Sequence, residues 1–227
     1  MVRRGTLLGF LTFSVACGSA DLPTVPSPTP TSQNPTVSGI VWLIDAGRIK
    51  PYAGVNVNAW TQTAGSGHPI GPVTTDAEGR YTFQSVLGTS LRVKVDAGSG
   101  RYQPCVAGVL VTGNVTRDVY IIGDPDQLGA HLPPQLLADT PILSGLVYEV
   151  TAEGRQPVAH ARLVLDLIFG LGDISAWTLT DTEGRYVFCG LSGYSSPYLF
   201  ASKTGYRPAE GTVVLNGNTV HDIELKR

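Results

Sequence analysis

A nine-residue segment occurs twice in this chain and constrains the fold more than any other feature. Residues 75–83 read TDAEGRYTF, and residues 180–188 read TDTEGRYVF. An Asp that accepts hydrogen bonds from the backbone amides ahead of it, followed by a Gly that adopts a positive φ, is typical of a tight β-hairpin with a bulge. The segment therefore predicts two matching hairpins.

Each predicted turn contains two carboxylates and a glycine. They are Asp76, Glu78 and Gly79 in the first copy, and Asp181, Glu183 and Gly184 in the second. We interpret them as a structural turn in which Asp caps backbone amides and Glu faces solvent. Carboxylates two residues apart are also compatible with calcium binding, which stays open as the alternative. The Tyr and Phe that follow each turn lie two residues apart, so both are expected to point into one core.

The similarity between the two halves continues on both sides of the turn. SGIV at 38–41 corresponds to SGLV at 144–147, and a Gly-Asn-x-x-x-Asp pattern occurs at 113–118 and at 217–222. A repeat of this length indicates one structural plan used twice. Short alternating apolar segments predict seven antiparallel strands per copy, arranged as a β-sandwich. One of the predicted pairings is a hairpin closed by Gly113 and Asn114.

The composition agrees with an all-β globular chain. The 227 residues are 42% hydrophobic and include 27 Gly and 16 Pro, which suits many short strands joined by turns. The formal net charge of −2 argues against a nucleic-acid partner, which would require a basic surface. We expect two tandem β-sandwich domains at residues 36–123 and 141–227, joined by a linker at 124–140.

The first 17 residues have the pattern of an export signal. Two arginines precede a mostly apolar run that ends at Cys17 and is too short to span a membrane. A Cys directly after a small residue resembles a bacterial lipoprotein signal, in which Cys17 carries the lipid and Gly18 favours the outer membrane, facing the periplasm or the surface. Cleavage after Ala20, which would leave a soluble secreted protein, is the alternative. The Pro- and Thr-rich residues 18–35 predict an extended stalk.

Cys105 and Cys189 are the two remaining cysteines, one in each predicted domain. In an exported protein they can pair across the domain interface and stiffen the tandem. The alternative is that each is a small buried hydrophobic side chain.

The repeated motifs together resemble those of the carboxypeptidase regulatory-like domain. They are the Ser-Gly-x-Val start, the Thr-Asp-x-Glu-Gly-Arg-Tyr-x-Phe turn, a Tyr-x-Pro step at 102–104 and 206–208, and the Gly-Asn-x-x-x-Asp end. The resemblance covers residues 37–122 and 143–225. It implies a seven-stranded, prealbumin-like (transthyretin-like) sandwich that is related in fold to starch-binding domains. A fold of this kind does not by itself define a function.

The sequence offers no catalytic centre. The four histidines, His68, His131, His160 and His221, lack the spacing of zinc-peptidase ligands. The chain ends in IELKR, whereas a hydroxyisourate hydrolase of this fold would end in Tyr-Arg-Gly-Ser. No Gly-x-Ser-x-Gly motif is present. We therefore expect no enzyme activity, no metal and no cofactor.

Two tryptophans are the candidate ligand-binding residues. Trp60 falls on the polar face of its predicted strand, and Trp177 lies four residues before Asp181. Exposed indoles can stack on sugars, or they can cover a domain interface or a sandwich edge. We expect a non-catalytic exported module that binds or organises an envelope protein and reaches the membrane only through its lipid anchor. Carbohydrate binding through the two indoles is the alternative.

Overall fold

The structure is a computed structural model of the chain. It describes residues 34–46, 48–61, 68–85, 89–124, 126, 138, 141–167 and 175–227. The predicted signal with Cys17, the stalk up to residue 33 and most of the predicted linker lie outside these ranges. No helix within them is long and apolar enough to cross a membrane.

The first half of the described chain forms nine strands. They are β1 (Thr36–Asp45), β2 (Arg48–Pro51), β3 (Asn56–Thr61), β4 (Pro69–Thr74), β5 (Arg80–Gln84), β6 (Ser90–Asp96), β7 (Ala107–Leu110), β8 (Val115–Thr116) and β9 (Val119–Ile122). One sheet is built on β1, which pairs with β2 and β5 in antiparallel fashion and with β8 and β9 in parallel fashion. The second sheet has the order β4-β3-β6-β7.

The second half repeats this arrangement strand for strand. Its strands are β10 (Leu143–Thr151), β11 (Gly154–Pro157), β12 (Arg162–Asp166), β13 (Ser175–Leu179), β14 (Arg185–Phe188), β15 (Tyr198–Ser202), β16 (Ala209–Thr212), β17 (Thr219–Val220) and β18 (Ile223–Glu224). One sheet is built on β10 with β11, β14, β17 and β18, and the other has the order β13-β12-β15-β16. The prediction of an all-β chain with two tandem β-sandwiches is confirmed.

Three details differ from the prediction of seven antiparallel strands. The first and last strands of each copy run in the same direction and therefore pair in parallel. Each copy has nine strand segments, since a short hairpin strand follows the first strand and the last strand is interrupted once. The hairpin predicted at Gly113 and Asn114 is wrong, because the two residues connect β7 in one sheet to β8 in the other.

Each sandwich has a separate hydrophobic core between its two sheets. In β5, Tyr81 and Phe83 are both 2% exposed, and in β14 Tyr186 and Phe188 occupy the corresponding positions. The aromatic pair meets the other sheet's alternating Val, Leu and Ala side chains in each copy. Side chains alternate between the two faces of a strand, so residues two apart point to the same face. This explains why the Tyr and the Phe of the repeated motif are two residues apart.

A close crossing holds the first and last strands of the first sandwich together. Between β8 and β9 the chain leaves the ladder, and the Arg117 carbonyl lies where a side chain on Gly39 would be. The Tyr81 hydroxyl donates to that carbonyl. The Asp118 carboxylate accepts from the backbone N–H of Ile40 at 2.9 Å and thereby replaces the missing ladder bond. We call this arrangement the strand seam.

The second sandwich has the same strand seam. The Tyr186 hydroxyl donates to the His221 carbonyl at 2.6 Å, and that carbonyl occupies the space above Gly145. Asp222 accepts from the backbone N–H of Leu146 at 3.0 Å. The strand seam therefore accounts for the Gly of the Ser-Gly motif, the Tyr of the turn motif and the Asp of the final motif.

The two hairpin turns have the same geometry but differ in burial. Oδ1 of Asp76 accepts from the backbone N–H groups two and four residues ahead at 3.0 and 2.7 Å, and Oδ1 of Asp181 does so at 3.0 and 2.8 Å. Gly79 and Gly184 both have φ near 73°. Asp76 is exposed, whereas Asp181 is 2% exposed and also accepts from Nε of Arg185 at 2.9 Å.

Substituting the seam glycine is expected to destabilise the first sandwich strongly. Gly39→Ala places a Cβ against the Arg117 carbonyl, which is backbone and cannot rotate away, so we expect a loss of about 2 kcal/mol or more in the free energy of unfolding. Gly108→Ala is the matched control, because nothing lies within 4 Å of its added Cβ, and its effect should stay within about 0.5 kcal/mol. Urea unfolding measures both. Equal effects would contradict the strand seam.

Burial should make the second turn more sensitive than the first. Asp181→Ala leaves two backbone donors without their buried acceptor, while the exposed Arg185 keeps its ion pair with Glu183, so we expect a loss of about 2–4 kcal/mol in unfolding free energy. Asp76→Ala should cost only about 1 kcal/mol, because water replaces the carboxylate. Glu183→Ala, a change in a 66% exposed side chain, serves as the control. An Asp76→Ala effect as large as that of Asp181→Ala would contradict this reasoning.

Candidate functional site

The two sandwiches meet through a third buried cluster. It contains Ile44, Tyr102, Cys105 and Ile122 from the first sandwich and Val187 and Cys189 from the second. All six residues are 5% exposed or less. Residues Asn34–Arg227 accordingly form one compact unit. We call this cluster the junction.

A disulfide lies in the junction. Cys105 and Cys189 are bonded through their sulfur atoms, and their Cα atoms are 4.4 Å apart. The backbone N–H of Val106 donates to the Cys189 carbonyl at 2.9 Å. The Val106 side chain, 4% exposed, belongs to the hydrophobic core of the second sandwich. A loop of the first sandwich therefore completes the core of the second.

Beside the junction lies a cleft of about 350 Å³ that both sandwiches line. The first sandwich contributes Trp60, Arg92 and Lys94, and the second contributes Ala176 and Trp177. We call it the junction cleft. Its volume is at the lower end of the range for small-molecule sites. The structure thus brings both candidate tryptophans to the same cleft.

The two tryptophans have different surroundings. Trp177 packs against Tyr102 with ring centroids 5.4 Å apart, and the guanidinium of Arg162 lies 5.8 Å from its ring. Trp60 is half-buried on the outer face of its sheet, directly opposite Arg92 on the neighbouring strand. Trp177 therefore serves the junction as well as the cleft. Trp60 belongs to the cleft wall.

Arg92 is the residue of the cleft that sequence reasoning missed. It is only 6% exposed, and its Nη2 donates to the hydroxyl of Tyr194 in the second sandwich. Its Nε and Nη1 have no hydrogen-bond partner among the described residues. Burial lowers the pKa of Arg92, while Tyr194 and the charge of Asp166 act in the opposite direction. In the sequence LRVKVD the alternation indicates an outward-facing Arg, and in the structure this side chain meets Tyr194 of the second sandwich.

Further charges surround the cleft. Lys94 is exposed two residues along the same strand, and Arg101 lies over the Tyr52 ring, with its guanidinium 5.0 Å from the centroid. Asp96 is the one carboxylate among the described residues of the cleft lining. Within that described lining, three cationic side chains against one anionic side chain give the cleft a positive character.

The carboxylates of the two turns lie on hairpins, and Oδ1 of each Asp accepts from backbone amides. No group of three or more His, Cys, Asp or Glu residues suited to a metal ion occurs in the described part of the chain.

Comparisons with known proteins find similarity in structure only. No protein-family model and no curated protein matches the chain. Among solved structures, the shaft pilin SpaA of Lactobacillus rhamnosus GG is similar, with 12% identity, a TM-score of 0.28, and coverage of 85% of this chain and 97% of the pilin. The minor pilin of Streptococcus agalactiae has 14% identity and a TM-score of 0.32 over 85% and 96% of the two chains. A streptococcal ancillary pilin has 14% identity and a TM-score of 0.33 over 87% and 63%. Because the identities and TM-scores are this low, we draw no conclusion from them about family or function.

Proposed function

We propose that this chain is a non-catalytic, exported structural module of the cell envelope in which two β-sandwiches act as one rigid body. The junction is the observation that supports this proposal. Two domains in one chain are expected to move relative to each other unless their interface is substantial and hydrophobic. Here a buried cluster, a disulfide and the inserted Val106 all connect them.

The distribution of polar groups supports a structural role. The carboxylates of Asp118 and Asp222 and the hydroxyls of Tyr81 and Tyr186 hold the strand seams. Asp181 holds a turn. Each of these groups has a backbone partner, as is expected of residues that stabilise the fold. A rigid tandem with such internal bonding suits a scaffold that binds an envelope protein.

We also propose that the chain is a divergent tandem of carboxypeptidase regulatory-like domains with the prealbumin-like strand plan. The repeated motifs that carry this resemblance have the same roles in both copies. Asn114 and Asn218 accept from the backbone N–H groups of Thr36 and Ile142, respectively, at the start of each sandwich. The motifs therefore behave as one structural plan, which supports a common origin of the two domains.

Export and anchoring complete the proposal. Residues 1–17 would direct secretion, Cys17 would carry the lipid, and residues 18–35 would hold the sandwiches away from the outer membrane. The disulfide agrees with an oxidising compartment, in which such bonds persist.

Carbohydrate binding is a second candidate function. It is favoured by the observation that Trp60 and Trp177 line one cleft of ligand-binding size. Half-buried indoles at a cleft wall can pack against the apolar face of a sugar ring.

If the two sandwiches form one rigid body, they should tumble in solution at a single rate. In ¹⁵N relaxation of the oxidised protein, amides of both sandwiches should report the same rotational correlation time. Reduction should lower the free energy of unfolding by about 2–5 kcal/mol and allow the two sets of correlation times to separate. The Cys105→Ser/Cys189→Ser variant is the control, because reductant should not change it. Independent tumbling in the oxidised protein would contradict the rigid-body proposal.

Lipidation predicts a labelled membrane protein. In a bacterium that exports the chain, wild type should incorporate radioactive palmitate and sediment with membranes, whereas Cys17→Ala should do neither. Mass spectrometry of the mature N-terminus provides the independent check. A wild-type N-terminus at Asp21, with release into the soluble fraction, would show cleavage after Ala20 and refute the anchor.

A further inference from the structure

We infer that the junction cleft binds a sugar that carries a carboxylate group, with the carboxylate at Arg92 and the sugar ring against Trp60. This inference rests on the second proposed function, sugar binding in the same cleft, and specifies the chemistry of the ligand.

Arg92 supplies the first argument. A guanidinium that is 94% buried loses most of its hydration, and each unpartnered N–H adds to the cost of that burial. Tyr194 satisfies Nη2, but Nε and Nη1 remain without partners among the described residues. A carboxylate oxygen is a strong acceptor for such groups, because the hydrogen bond is charge-assisted. An anion bound against the guanidinium would therefore satisfy donors that are enclosed and have no partner among the described residues.

The neighbouring charges favour an anion over a neutral ligand. Lys94 and Arg101 line the same cleft, whereas Asp96 is the only carboxylate among the described residues of its lining. Asp166 also acts electrostatically on Arg92, so it offsets part of the positive charge. The lining nevertheless has an excess of positive charge, and within a confined, partly dehydrated site that excess acts more strongly than on an open surface.

The strand register places an aromatic surface next to the guanidinium. Trp60 is the direct cross-strand partner of Arg92, and Asn58 is the partner of Lys94. Side chains in such positions lie within about 5.5 Å of each other at Cβ. A ring whose carboxylate reaches Arg92 therefore lies beside the Trp60 indole, with the Asn58 amide close to its hydroxyl groups.

Comparison of the two copies shows that the fold does not require this set of residues. The backbone N–H of Val55 and that of Ala161 both donate to the Thr of their turn, at 3.0 and 2.8 Å, which aligns the two copies at these positions. Trp60 then corresponds to Asp166, and the cross-strand partner of Asp166 is Tyr198. The second sandwich forms the same sheet without the Trp–Arg pair. The pair is thus a property of the first copy and of its cleft.

The experiment measures ligand affinity with the full chain and an intact disulfide. Isothermal titration calorimetry, supported by amide chemical-shift perturbation at β3 and β6, compares sodium glucuronate, glucose and inorganic phosphate. We expect glucuronate to bind at least about tenfold more tightly than glucose, because only glucuronate forms charge-assisted bonds with Arg92. Its affinity should fall as salt concentration rises.

Variants assign the binding to the named residues. Arg92→Met keeps an unbranched, flexible side chain but removes the guanidinium, so it should abolish the preference for glucuronate over glucose, while Arg92→Lys should retain part of it. Lys94→Gln should weaken glucuronate binding about threefold or more, and Lys50→Gln, an exposed lysine on β2, is the matched control and should have no effect. Trp60→Ala should weaken both sugars. Thermal unfolding of each variant checks that the fold is intact.

The alternative outcomes are distinct. Equal affinity for glucose and glucuronate would overturn this inference and leave the sugar-binding proposal standing. Phosphate binding as tightly as glucuronate would show a general anion site and overturn it too. An Arg92→Met variant that loses both sugars equally would show that Arg92 acts only through the shape of the cleft and would also overturn this inference. Absence of any binding would refute both this inference and sugar binding, and would leave the rigid structural module untouched.

Discussion

The strand seam is the constraint on which the rest of each sandwich depends. Where the last strand pairs in parallel with the first, the last strand crosses close over the backbone of the first strand. This crossing is possible only because Gly39 or Gly145 leaves room for a carbonyl. Tyr81 or Tyr186 then satisfies that carbonyl and extends into the core beside a Phe. The seam thus couples the closure of one sheet to the packing between the two sheets. Three short motifs that lie far apart in sequence are parts of this single device.

Much of the fold could be predicted because its determinants are local. The turn motif specifies its own hydrogen bonds, and the alternation of Val, Leu and aromatic residues specifies which face is buried. The parallel pairing was not predictable in the same way, because nothing in the residues around Gly113 and Asn114 reveals which sheet the chain enters next. In the sequence, Asn114 after a Gly is typical of a hairpin turn. In the structure, its side-chain oxygen instead accepts from the backbone N–H of Thr36.

The candidate site was predictable only in part. The position of Trp60 is predictable because an aromatic residue on the polar face of a strand is unusual. The alternation within that one strand is enough to show it. Arg92 was not found, because its burial depends on Tyr194 of the other sandwich, 102 residues further along the chain. A cleft formed between two domains contains residues whose environment neither domain determines alone. Sequence periodicity shows which face of each strand is apolar. It carries no information about which outer sheet face of one sandwich contacts the other sandwich.

The Val106 insertion has a consequence for how the molecule can be assembled and divided. Since this side chain comes from the first sandwich but is enclosed by the second, the hydrophobic interior of the second sandwich is incomplete until its neighbour has docked. The two repeats are therefore not interchangeable units, despite their shared plan. The first sandwich is synthesised first and supplies the Val106 side chain to the core of the second sandwich. The order of the two repeats along the chain is therefore part of what determines the structure.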